Sequence, residues 1–251
     1  MSSPISRGRA EGSRRPGAVP RSPLADAERD RAFARLAAAV AAGDEAAAED
    51  AGRSLAGRVA RQAAEEVVLQ TYLFAGFPAA INGFLALERV WPPAIESRTT
   101  AASSRAEAAV DGGETDGTVR VEAAADDSAG WEAWRARGER LCRRVYGVSY
   151  PRLRARLREL SPPLDEWVVV EGYGKTLSRP GLSETARELC AVAALAALGA
   201  ARQLEAHLEG ARRLGVDDGL LREAVGEAIR RHVPPARRSA LEVLLEPRGE
   251  R

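Results

Sequence analysis

The stretch from Leu189 to Leu198, LCAVAALAAL, is apolar on every side and is built mostly from Ala and Leu, the strongest helix formers. A helix without a polar face has to lie buried among other elements. Ser183 upstream is a good N-cap residue and Gly199 supplies a C-terminal stop, so the spacing predicts a buried helix between them. Beyond the glycine, Leu204, His207, Leu208, Ala211 and Leu214 recur at helical spacing, while Arg202, Glu205, Glu209, Arg212 and Arg213 fall elsewhere. The segment reads as two antiparallel helices with His207 inside the apolar stripe of the second.

The same Ala- and Leu-rich vocabulary fills most of the chain. Hydrophobic residues make up 45% but aromatics only 5%, which points to an all-α fold, a helical bundle. Residues 1–24, rich in Arg, Ser, Pro and Gly, have little to bury and are expected to be a disordered tail. Their acid-poor make-up also resembles a transit peptide, although no amphipathic helix accompanies it. Residues 25–91 read as an N-terminal helical unit ending in a hairpin, with a helix closing near Phe74, Gly76 just past it and Pro78 opening the next. Residues 92–130 lack apolar periodicity and read as a disordered linker. A second helical domain is expected over 131–247, with five or six helices broken at Ser161–Pro163, Pro180–Gly181, Gly199, Gly215 and Pro234–Pro235. A faint internal repeat lays Glu66, Val68 and Pro78 over Glu223, Val225 and Pro235.

The 37 basic and 36 acidic side chains nearly cancel, so no net field would draw the chain to nucleic acid or to an anionic membrane. No apolar run reaches the roughly 20 residues of a membrane span, and the start lacks the apolar core of a secretory signal. The expectation is a soluble, cytoplasmic protein without nucleic-acid or membrane partners. Its two cysteines, Cys142 and Cys190, lie far apart and form neither a CxxC nor a metal-ligand pattern, so a reduced setting and no metal are expected.

Glu188 opens the buried helix and, once withdrawn from water, needs a partner. Counted from the turn at Gly199, it is offset from His207 by roughly 4–5 Å along the helices, a gap that side chains can bridge. A His held by a carboxylate can deliver or remove a proton near neutral pH, which makes Glu188 and His207 the candidate catalytic pair. The plainer alternatives are a capping box between Thr185 and Glu188, and a core histidine satisfied by a carbonyl. Cys190 is a possible redox residue, against the reading of an inert small hydrophobe; Cys142, among Arg140, Arg143 and Arg144, reads as a packing residue. Gln70, Tyr72 and Asn82 flank the AGFP turn and are placed to bring polar groups to a cavity, Tyr72 being otherwise a buried ring with its hydroxyl at an edge. Trp131 and Trp134 read as packing residues, and His232 as a surface charge at a helix end.

The segments RRVYG, WVVVEGYGKTLSRPGL, REL, QLEAHLEGA and LQTYLFAGFPAAIN together resemble the carboxymuconolactone decarboxylase and alkylhydroperoxidase D superfamily, over about Glu65–Val90 and Trp131–Leu245. The resemblance implies an all-helical fold and a homo-oligomer, a trimer or hexamer. The peroxidase branch has the pattern E-x11-C-x2-C-x3-H. Glu188 and His207 match its outer residues, but Ala200 and Gln203 stand where the cysteines belong, so dithiol peroxidase chemistry is not expected. The resemblance also implies cofactor-free decarboxylation, lyase chemistry, on a small carboxylated lactone. Such a small-molecule substrate requires a cation, for which Arg179 is the candidate, with Lys175 and Arg187 behind it. Two alternatives stand beside this reading: a peroxiredoxin-like hydroperoxide reductase using a single cysteine, and a non-catalytic oligomeric scaffold.

Overall fold

A computed structural model describes residues 24–92 and 130–246. The expected tail and linker fall, apart from Leu24, Pro92 and Gly130, outside the described residues. No strand occurs among the described residues. The first half holds α1 (Asp26–Ala42), α2 (Glu45–Leu55), α3 (Arg61–Gln70) and α4 (Tyr72–Val90). The second holds α5 (Trp131–Tyr146), α6 (Tyr150–Leu160), α7 (Pro162–Trp167), a π-helical segment (Val168–Leu177), α8 (Glu184–Leu198), α9 (Ala201–Arg213), α10 (Asp218–His232) and α11 (Pro235–Glu242).

Helix α8 is the axis of the molecule, packed on α1, α9 and α10. Its side chains from Ala186 to Ala197 are all buried, as an all-round apolar helix requires. Ser183 accepts a hydrogen bond from the Ala186 N–H at its start, and Gly199 ends it at φ 69°, where its N–H reaches the Ala196 carbonyl. The small side chains of α8 let its neighbours come close. Leu189, Val192 and Leu195 face α9 and α10, in a cluster that also takes in Ala34 and Ala38 of α1. Cys190 turns the other way, into the core of α1 to α4 around Phe33, Leu36 and Val67. The N-terminal unit and the C-terminal domain are therefore joined through shared cores. Each large aliphatic side chain buried there contributes on the order of 1.5–3 kcal/mol.

The hairpin at AGFP differs in detail from the sequence expectation. Helix α3 stops at Gln70, and a single turn follows before Gly76 takes φ 81° and ψ 170°, after which the helix resumes through Pro78. The left-handed value suits glycine and explains the break there. By length and composition alone α4 is able to cross a membrane; its inner face, Ala80, Gly83, Ala86 and Leu87, packs toward α1, α2 and α3. Its outer face carries Phe77, Ile81 and Leu85, all exposed.

From Trp131 onward the described residues form seven α-helices and the π-helical segment rather than five or six helices. The expected breaks at Ser161–Pro163, Pro180–Gly181, Gly199, Gly215 and Pro234–Pro235 are present. The extra divisions come at Gly147, with φ 54°, and in VVVEGYGKTL, whose β-branched residues and two glycines favour the α form weakly. This π-helical segment lies unusually close to α5. A Cβ at Gly138 would overlap the Val169 carbonyl oxygen, and one at Gly174 the Trp134 carbonyl oxygen, so the two glycines permit the crossing. Leu141, Cys142 and Val145 then pack on Val169, Tyr173 and Leu177.

Candidate active site

The hairpin of α8 and α9 brings Glu188 and His207 together. Oε2 of Glu188 lies 2.8 Å from Nδ1 of His207, and the two residues are only 3% and 8% exposed. The carboxylate fixes the ring through Nδ1 and leaves Nε2 as the nitrogen without a described partner. Phe74 meets the ring edge-on at 5.9 Å between centroids. Gly210, one turn further along α9, keeps the space open: a Cβ there would run into Val145 and come within 3.5 Å of Glu188 Oε2. Ser183 serves as the N-cap, so Glu188 lies inside the helix rather than in a capping box with Thr185.

His207 opens onto a cavity of about 610 Å³. Its walls are largely apolar, with Leu153 and Leu157 of α6, Leu164 and Trp167 of α7, Phe74 of α4 and Leu195 of α8. The π-helical segment adds Glu171 and Tyr173, and α5 adds Tyr146. The hydroxyls of Tyr146 and Tyr173 are 2.7 Å apart. One O–H donates to the other oxygen, so the pair keeps one hydrogen with no described acceptor. Burial, helped by the nearby Glu188 charge, pushes both phenols above their usual range, which keeps them protonated as donors. Tyr72 lines the same cavity; its hydroxyl is 2.7 Å from the Thr176 hydroxyl and donates more weakly to Glu171 at 3.4 Å. Tyr72 and His207, the latter held from behind by Glu188, thus share one chamber.

The predicted carboxylate-binding cations do not. Arg187 is 2% exposed, gives one N–H to Glu66 at 2.8 Å and others to Gln70 and to the Arg179 and Pro180 carbonyls. Arg179 donates to the same Glu66 at 3.0 Å. Both guanidinium groups therefore share one buried carboxylate, which ties α3 to α8 and to the loop before it. Lys175 lies over the Trp134 ring, 5.3 Å from its centroid. None of the three lines the His207 cavity; the cation that does is Arg202, exposed at its rim. Gln70 serves Arg187, and Asn82 is exposed on α4, so neither reaches the chamber.

Cys190 and Cys142 are both fully buried and absent from the cavity wall. Burial drives both thiols far above their usual range. Cys190 faces α1 to α4, on the far side of α8 from Glu188, which removes the opening a redox role requires. Trp131 is exposed and donates to Glu166 at 3.0 Å, while Trp134 packs where α5 crosses the π-helical segment. Sequence reasoning missed Tyr146, Tyr173, Glu171 and Arg202, although the segments RRVYG, WVVVEGYGKTL and QLEAHL that contain or adjoin them carried the family resemblance.

His232 is corrected more sharply. Its side chain is 5% exposed, and it lines a second cavity of about 360 Å³ between α1, α2 and α10. Asp44 Oδ2 is 3.6 Å from its Nδ1, beyond hydrogen-bond range, and burial lowers its pKa. Helix α10 ends against the α1–α2 corner, which covers a residue that the local sequence places at a free helix end. The charges around this cleft satisfy one another, Arg31 with Glu223 at 2.7 Å and Arg35 with Glu227 at 2.9 Å. Among the described residues no group of His, Cys, Asp and Glu is arranged to hold a metal ion.

Residues 166–246, from the end of α7 through α11, match the carboxymuconolactone decarboxylase family. The match covers about a third of the chain. The matched stretch contains Glu188, His207, Glu171, Tyr173 and Arg202, while Tyr72, Phe74 and Tyr146 reach the His207 cavity from helices outside the match. No curated protein matches the chain.

Proposed function

We propose that the chain is a cofactor-free acid–base enzyme of the carboxy-lyase type, acting on a small carboxylated molecule such as a lactone acid in the His207 chamber. The observation that carries this reading is the 2.8 Å contact between Glu188 and His207 at the wall of a largely apolar cavity. With Nδ1 held by the carboxylate, a protonated imidazole presents its second proton at Nε2. The bond from carbon to the departing carboxylate breaks and its electron pair moves onto a conjugated carbonyl. The spare hydrogen of the Tyr146–Tyr173 pair is available to that oxygen. Nε2 then gives its proton to the carbon, carbon dioxide leaves, and His207 regains a proton from water. In balance, one carboxylate and one proton become one C–H bond and one carbon dioxide.

A buried carboxylate–imidazole pair beside a cavity favours chemistry over a bare scaffold, and a single-cysteine peroxidase would find no thiol in the cavity wall. The exposed stripe of Phe77, Ile81 and Leu85 on α4 supports self-association, the homo-oligomer expected above. The test is carbon dioxide release, or deuterium uptake at carbon from heavy water, across a panel of unsaturated lactone acids. Turnover is expected from the wild type and its loss from His207→Gln with the helical circular dichroism retained. Undiminished turnover in that variant would remove the acid–base reading.

A further inference from the structure

We infer that the His207 chamber takes a predominantly apolar molecule bearing a single acid group, and that it discriminates against dicarboxylates. The inference rests on that chamber being the substrate site, not on the decarboxylation step. A cavity of about 610 Å³ is of the size that encloses a small organic ligand. Its charge inventory is sparse. Apart from His207, the lining residues include one cation, Arg202, and one acid, Glu171. The other cations that sequence placed here are spent elsewhere, Arg179 and Arg187 on Glu66 and Lys175 on the Trp134 ring. An incoming acid group therefore has one permanently charged partner, exposed Arg202 at the rim, on the same helix as His207.

Glu171 supplies the exclusion. Its carboxylate has the Tyr72 hydroxyl at 3.4 Å and no cation in ion-pair range among the described residues. A second carboxylate pushed past the rim would meet a like charge inside apolar walls, where the solvent does little to weaken the repulsion. The apolar wall argues in the same direction. Leu164 and Trp167 line the cavity and are still 41% and 56% exposed, so a hydrocarbon skeleton would cover surface that the fold leaves uncovered.

The experiment is isothermal titration calorimetry of the full chain with nonanoate and with nonanedioate, both below any micelle threshold; the two differ by one terminal carboxylate. Nonanoate is expected to bind at least tenfold more tightly. Glu171→Gln should narrow that gap by improving nonanedioate, and Arg202→Gln should weaken nonanoate. Leu157→Asp, which puts a charge on the wall, should abolish nonanoate binding. Equal or tighter binding of nonanedioate, no binding of either, or nonanoate binding that survives Leu157→Asp overturns the inference. His207→Gln is expected to keep the preference for nonanoate. A wild-type protein with the preference but without carbon dioxide release would sink the acid–base reading alone, while turnover without the preference would sink this one alone.

Discussion

The chain has two histidines, one in the middle of α9 and one at the end of α10, and the fold gives them opposite surroundings. His207 sits against a carboxylate at 2.8 Å and opens onto an apolar chamber almost without charge. His232, equally sheltered, sees its nearest carboxylate at 3.6 Å across a cleft walled by ion pairs that are already complete. Burial alone therefore does not make a histidine chemical. A held ring, a free second nitrogen and space for a ligand have to coincide, and they do so at α9 rather than at α10.

The comparison breaks most visibly through activity. His207→Gln is expected to lower turnover by about 10²–10⁴-fold, the usual contribution of a general acid–base group, while His232→Gln stays within about twofold. Steady-state rates on any substrate found in the lactone-acid panel decide this, and equal losses would erase the distinction. Next in size is the contrast between the ion pairs of the two regions. Glu66→Ala leaves Arg187 buried and unpaired, at a cost of about 3–5 kcal/mol by urea unfolding. Glu227→Ala on the cleft, whose arginine partners are about half exposed, should cost no more than about 1 kcal/mol.

A smaller difference is expected between two helical glycines. Gly210→Ala drives a methyl into Val145 beside Glu188 and should destabilise by about 1–3 kcal/mol as well as slow turnover. Gly226→Ala on α10 meets only the mobile end of the Arg230 side chain, and the gain in helix propensity, about 0.5–1 kcal/mol, should leave it neutral or stabilising in thermal melts. The smallest effect is in pH. Burial lowers the His232 pKa, so the unfolded chain binds that proton more readily than the folded one. Its contribution is complete above the ordinary histidine value near 6.5 and is lost as pH falls below it toward the depressed folded value. The fall in stability below that point should be shallower in His232→Gln; an unchanged pH profile would mean that the ring already titrates as it does in the unfolded chain.

Local signals account for what could be read without coordinates. The apolar run of α8, its Ser183 cap and the Gly199 stop are each decided within a few residues, and the structure keeps all three. Helix arithmetic and a spacing shared with the peroxidase pattern put Glu188 within side-chain reach of His207, while their contact is visible only in the fold. What failed was set by distant partners. Arg179 and Arg187 look like free cations until Glu66 arrives from far upstream in α3, and His232 looks exposed until α1 and α2 close over it. Tyr146 and Tyr173 were missed for a different reason. Their pairing depends on a π-helical segment, and a period read for α-helices cannot say which way its side chains turn.

That wide segment sets a rule for how such a chamber can be remodelled. Each of its turns accommodates a residue more than an ordinary helix would, so losing one position between Val168 and Leu177 would let it tighten and swing Glu171 and Tyr173 off the wall together. Point changes along it alter the lining piecemeal, whereas a one-codon deletion would redraw the whole floor, and natural variants that differ there in length should differ in what they admit.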